Sequence, residues 1–150
     1  MILMGKRQVK AQRGFTLVEL VVAILVVSIL GAIAYPNYVN SIARTKRRAA
    51  EACLSSYTTY MERWYATNLR YDQDLAGNAI TLPTFDCAAT QTRDYSFGPS
   101  GTITATAYTI QAQPLATNKQ STRDARCGTL TLNYQGVRGA SGTDGPDKCW

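Results

Sequence analysis

The chain has no histidine among its 150 residues. This removes the side chain most used for acid–base chemistry near neutral pH and excludes a mixed cysteine–histidine zinc site. Its four cysteines occur singly, at Cys53, Cys87, Cys127 and Cys149, with no Cys-x-x-Cys pair. Zinc sites built from cysteine alone draw on closely spaced pairs, so this spacing argues against one. Carboxylates close in sequence are few: Asp72 with Asp74, and Asp144 with Asp147, all in polar or Gly-rich stretches. Solvated turn acids are the usual occupants of such stretches. No pairing suited to general acid–base catalysis stands out. The segment Gly142-Thr143-Asp144-Gly145-Pro146-Asp147 has the loop carboxylates and carbonyls that hard cations take, but not the spacing of an established calcium loop. The expectation is therefore a non-enzyme without cofactor or metal.

Charge is missing from two further places. Residues 1–14 carry no acidic side chain, and residues 15–35 carry no charge of either sign except Glu19. Those 21 residues, as a helix rising ~1.5 Å per residue, would cross the ~30 Å hydrocarbon core of a bilayer. A carboxylate at the centre of such a helix costs about 2.5–3.5 kcal/mol, and less near the interface. Glu19 stands about one turn from the start. It either reaches back to the headgroups or awaits a cationic partner.

The leader bears on that choice. Lys6, Arg7, Lys10 and Arg13 give residues 1–14 the character of a targeting n-region. An ordinary secretory signal cut after Ala32 or Ala34 is one alternative. Against it, the apolar run exceeds a usual signal core, and a glutamate is foreign to one. The whole chain carries 16 basic and 10 acidic side chains, a formal charge of +6. Removing the leader takes four of the basic ones and leaves a near-balanced chain. The basic character therefore does not by itself indicate a nucleic-acid partner, which a strongly basic folded domain would.

Beyond the apolar run there is room for one domain of modest core, for which covalent staples are useful. An even cysteine count beyond an export segment points to disulfides in an oxidising compartment, with three possible pairings. Cys127–Cys149 would close a Gly-rich terminal loop, and Cys53–Cys87 is the complementary pair; a free, buried Cys53 is the alternative. Gly31 and Pro36 weaken the helical pattern, so a bend or loosening is expected between them. Ile42, Ala49, Ala50, Cys53, Leu54, Tyr57, Met61 and Trp64 then recur at spacings of mostly three and four, one apolar face of an amphipathic helix reaching about Asn68. Arg44, Arg47, Arg48, Glu51, Ser55 and Glu62 fall on its other faces. A connecting loop over 71–93 follows. Three alternating segments come next: Tyr95-Ser96-Phe97, residues 108–113 and residues 130–134. They predict an antiparallel sheet within about 94–134 that covers Leu54, Tyr57, Met61 and Trp64. Residues 136–150 show no helix or strand period and read as part of a terminal loop, 127–149.

Gly14-Phe15-Thr16-Leu17-Val18-Glu19, between a basic leader and a long apolar run, resembles the processing motif of type IV prepilins. The layout resembles the type IV pilin fold: an α+β protein whose long N-terminal helix packs on a small antiparallel sheet, with a disulfide-closed C-terminal loop. The resemblance implies three parts: a leader at 1–14, a membrane-spanning and filament-core helix at 15–35, and a periplasmic or extracellular domain at 36–150. It implies cleavage between Gly14 and Phe15 by a prepilin peptidase, N-methylation of Phe15, and an assembly role for Phe15, Thr16 and Glu19. Gly31 and Pro36 stand where pilins carry helix-loosening residues. The tail Cys127-Gly128-Thr129-Leu130-Thr131-Leu132-Asn133, with Gly136-Val137-Arg138-Gly139-Ala140 and Cys149-Trp150, is similar to that of PilE-type minor pilins. The implied partners are other pilins, major and minor, the inner-membrane assembly machinery, and the membrane itself before assembly. The implied location is the inner membrane first and the extracellular pilus afterwards. A major pilin and a type II secretion pseudopilin are the alternatives within the family. A DNA-uptake receptor is the alternative outside structural roles, resting on Arg44, Lys46, Arg47, Arg48, Arg63 and Arg70. Nucleic acid is weighed below assembly, because Glu51 and Glu62 dilute that run.

Mass spectrometry of the mature chain checks the processing expectation. The first residue should be Phe15 carrying one methyl group, whereas a chain beginning after Ala32 or Ala34 would mark an ordinary secretory signal.

Overall fold

A computed structural model of the chain describes residues 14–150. The leader cations Lys6, Arg7, Lys10 and Arg13 lie outside the described residues. By its internal contacts the chain falls into two units, one ending at Asn37 and the other running from Tyr38 to Trp150.

In the first unit, helix α1 (Leu17–Asn68) begins. Its apolar side chains from Leu17 to Ile33 are all exposed. It is the one helix among the described residues that is long and apolar enough to cross a membrane. The helix assignment is unbroken across Gly31 and Pro36.

In the second unit, α1 turns one-sided. Its buried stripe is Ala43, Arg47, Ala50, Leu54, Tyr57 and Met61, with Cys53 beside it. Spacings of four and three keep these residues on one face. Two details differ from the sequence expectation. Ala49 is exposed and Ile42 only half-buried, while Arg47, expected on a solvent face, is buried. The reason is a partner far along the chain: the Arg47 guanidinium donates to Asp124, itself 5% exposed. The helix ends at Asn68, and Leu69 takes a left-handed conformation at φ 58° that closes the last turn.

The sheet has four antiparallel strands in the order β1-β2-β3-β4: β1 (Tyr95–Pro99), β2 (Thr109–Pro114), β3 (Leu130–Asn133) and β4 (Arg138–Ala140). Alternation works as expected on the central pair. Ile110 faces Leu132 and Ala112 faces Leu130, and all four are buried. With Tyr95 and Tyr108 they form one core with Leu54, Tyr57 and Met61 of α1. Trp64 is only half-buried at the margin.

Strand β4 corrects the reading of residues 136–150 as loop throughout. Three residues are too few to show a period of two, so no alternation announces it. Its turn is specified locally: the Asn133 side-chain oxygen accepts from the N–H groups of Gln135 and Val137, and Gly136 takes φ 77°. Three short helices also went unforeseen: α2 (Asp86–Thr90), α3 (Gln120–Arg123) and α4 (Pro146–Cys149). Each is a single turn, below the length at which helical periodicity is legible.

Disulfides join Cys53 to Cys87, tying α2 to α1, and Cys127 to Cys149, tying α4 to the segment just before β3. Loops of this length gain about 3 kcal/mol from closure in the chain-entropy model. Gly142 allows the terminal segment to lie against Cys127: its N–H donates to the Cys127 carbonyl at 2.9 Å, and a Cβ there would stand 2.2 Å from the Arg126 carbonyl.

A buried polar cluster joins helix to sheet. Asp124 accepts from Arg47 and from the Tyr95 hydroxyl, the latter at 2.8 Å. Gln120, fully buried, donates to the Ala43 carbonyl and to the Tyr95 oxygen. Replacing Asp124 with Ala leaves a buried guanidinium uncompensated, so chemical denaturation should report a loss of about 3–5 kcal/mol. A loss under about 1 kcal/mol, the scale of a surface pair, would contradict this reading.

Candidate assembly site

Helix α1 starts because Thr16 caps it. The Thr16 hydroxyl accepts from the Glu19 N–H at 3.2 Å, and the Thr16 carbonyl accepts from the Leu20 N–H at 3.2 Å. Helix starts leave such N–H groups without intrahelical partners, and a threonine at this position satisfies one of them. Thr16-Leu17-Val18-Glu19 has the Thr-x-x-Glu spacing of a capping box. That signal was legible in the sequence, but the motif was read there only for processing and assembly. The cap places Glu19 in the first helical turn, where the positive end of the helix dipole favours a carboxylate.

Around this carboxylate everything is apolar and open. Phe15, Leu17 and Val18 are 83%, 78% and 70% exposed. Among the described residues Glu19 makes no ion pair. The arrangement offers one anion on a helix end that is greasy all round. Chemically it can hold a cation once that surface is covered, because a charge taken from water without a partner is costly.

The other acids singled out in the sequence have local partners. Arg70 grips Asp72 through two bonds of 2.6 and 2.8 Å, which holds its carboxyl below the usual range. Asp74 accepts from Asn78 and from backbone N–H groups in its own turn, with the same direction of shift. Asp144 accepts from Arg126, and Asp147 is exposed in α4. Glu62 accepts from the hydroxyls of Tyr71 and Tyr108; burial first and Glu62 second push the Tyr71 phenol up to about 12. These are structural contacts of loops and core.

Nor is the basic run one patch. Lys46 pairs with Asp94 at 2.6 Å, Arg47 is buried on Asp124, and Arg70 holds Asp72. Arg44, Arg48 and Arg63 remain exposed. Arg44 and Arg48 meet Arg123, Arg126 and Lys148 around a shared cleft. The sequence reading did not connect those groups, since Arg123 lies 75 positions after Arg48.

A family model described as "Prokaryotic N-terminal methylation motif" matches residues 9–35. Another, described as "Type IV minor pilin ComP, DNA uptake sequence receptor", matches residues 36–131. The chain is 37% identical over 59 residues to the type IV major pilin protein PilA of Myxococcus xanthus, a match covering 39% of this chain and 27% of that protein. It is 43% identical over 53 residues to a fimbrial protein of Pseudomonas aeruginosa, covering 35% and 34%. The matched segment thus spans about a quarter to a third of the length of these curated relatives. Among solved structures, a type IV pilin from Shewanella oneidensis aligns with TM-score 0.43 and 24% identity, over 64% of this chain and 89% of that one. The non-core minor pilin PilV of Neisseria meningitidis aligns with TM-score 0.47 and 22% identity, over 70% and 92%. With the methylation motif matched across the cap and the apolar run, and the minor pilin model matched across most of the second unit, the chain belongs to the type IV pilins, in the minor pilin ComP family.

Proposed function

We propose that this chain is a minor subunit of a type IV pilus that takes part in pilus assembly and initiation, and through it in twitching motility and adhesion. The observation that carries the reading is Glu19: a single carboxylate, fixed in the first turn of a helix whose surroundings are uniformly apolar and exposed. Prepilin peptidase cuts between Gly14 and Phe15, and Phe15 is N-methylated. The subunit waits in the inner membrane with 15–35 in lipid and the second unit outside the cytoplasm. The assembly machinery then extracts it, and the apolar helix packs among those of other pilins.

In that dry core Glu19 pairs with the N-terminal amine of a neighbouring subunit and sets axial register, and the Phe15 amine of this chain offers the same cation in return. The short Thr16 side chain leaves room for close approach. Gly31 and Pro36 let the helix loosen as it packs, since proline removes a hydrogen-bond donor and glycine has a low helix propensity.

A second reading comes from the family's own description as a DNA uptake sequence receptor. It raises nucleic acid above the weight that the sequence alone gave it. Phosphate contacts made by exposed Arg44, Arg48 and Arg63 would account for such binding.

Two measurements test these readings. Glu19→Val should leave membrane insertion intact and abolish recovery of the subunit in sheared pili; normal recovery would defeat the pairing. Low abundance in the sheared wild-type pili agrees with a minor subunit, and dominance there with a major one. For DNA, a gel shift with the purified chain should weaken as salt rises, with log K falling by about 0.9 per phosphate contacted against log salt. Salt-independent binding, or none, would remove the second reading.

A further inference from the structure

One cleft in the second unit is left unused by filament assembly. It has a volume of about 580 Å³ and is lined by Arg44, Arg47 and Arg48 of α1 together with Arg123, Arg126 and Lys148. Only two carboxylates share it, and both are occupied: Asp124 by Arg47 and Tyr95, Asp144 by Arg126. Among the described residues, Arg44, Arg123 and Lys148 make no ion pair. Arg47 is 8% exposed; its Nε and the Glu51 carboxylate oxygen 3.9 Å away are both buried without a hydrogen-bond partner. Three cations without an ion pair, converging on one cleft whose carboxylates are already engaged, make a site short of an anion. Burial pushes the Glu51 carboxyl up, against the pull of Arg48 and Arg47.

We infer that this cleft takes the phosphate of an anionic phospholipid headgroup while the subunit is still anchored in the bilayer. The inference rests on the anchored state proposed above and goes beyond it. Chain connectivity selects the ligand. Arg44 lies nine positions after Tyr35, the end of the apolar run. A helix covers that separation in about 14 Å. The lining begins nearer, at Asn40, five positions past Tyr35 or about 8 Å along a helix, and the headgroup layer itself is about 5–8 Å thick. Cations that follow a membrane span within a few residues in sequence are what an anionic lipid surface attracts. Guanidinium groups supply the planar paired donors that fit phosphate. Extraction of the subunit breaks this contact, so the cleft stabilises the anchored pool relative to the filament.

The test places the full chain in nanodiscs of phosphatidylcholine, with and without phosphatidylglycerol. Phenylglyoxal modification of each arginine is followed by mass spectrometry. Anionic lipid should slow modification of Arg44, Arg48, Arg123 and Arg126 about fivefold, the ratio for about 1 kcal/mol per cationic side chain. Exposed Arg63 and Arg93, which do not line the cleft, serve as internal references and should not change. The double variant Arg48→Ala, Arg123→Ala removes two exposed side chains without touching the Arg47–Asp124 pair, and should abolish protection of Arg44. Equal rates in the two discs overturn the inference, as does equal slowing at Arg63 and Arg93. Protection by added duplex DNA in phosphatidylcholine discs, with none from phosphatidylglycerol, would assign the cleft to nucleic acid instead. A chain that enters neither disc overturns the anchored state, and this inference with it.

Discussion

The ion pair between Arg47 and Asp124 is where the parts of the second unit meet. Arg47 belongs to the long helix, and Asp124 to the turn that leads into β3. Asp124 also takes the hydroxyl of Tyr95 from β1, while neighbouring Gln120 reaches a helix carbonyl and the same hydroxyl. Apolar packing of Leu54, Tyr57 and Met61 on Ile110 and Leu130 supplies non-directional attraction and would tolerate some sliding. A buried, multiply bonded carboxylate does not tolerate it. Such a pair adds little net stability over well-packed apolar residues, but a misdocked arrangement would strand its charges. Its contribution is to register, holding the sheet at one position along the helix.

The same electrostatic rule governs the other end of the chain, with the opposite outcome. Asp124 finds its cation within the fold. Glu19 finds none among the described residues, although the threonine cap and the helix dipole hold it ready. Under the assembly we propose, the terminal amine of a neighbouring subunit supplies that cation. In that proposal the apolar run supplies attraction without direction, and the carboxylate direction without much attraction.

What the sequence disclosed follows from periodicity and its limits. The apolar run, the α1 stripe and the pairing of Ile110 and Ala112 with Leu132 and Leu130 were legible because each repeats over several residues. Strand β4 and the short helices were not, since three to five residues carry no period. Arg47 was placed on the wrong face because its burial depends on an aspartate 77 residues later. The cationic cleft was hidden for the same reason, its two halves being adjacent only after folding. Thr16 is a different case: its Thr-x-x-Glu spacing was visible, yet its backbone role was overlooked beside the processing motif.

Assembly through Glu19 is tested most directly by a zero-length carbodiimide crosslink in intact pili, read by mass spectrometry of the digested subunits. Pairing predicts an amide between the Glu19 carboxyl and the terminal nitrogen of a different pilin chain. That product should form in filaments, and it should be absent from the membrane pool and from Glu19→Gln subunits. Filaments that contain this chain and react freely elsewhere, yet yield Glu19 unlinked to any terminal amine, would contradict it.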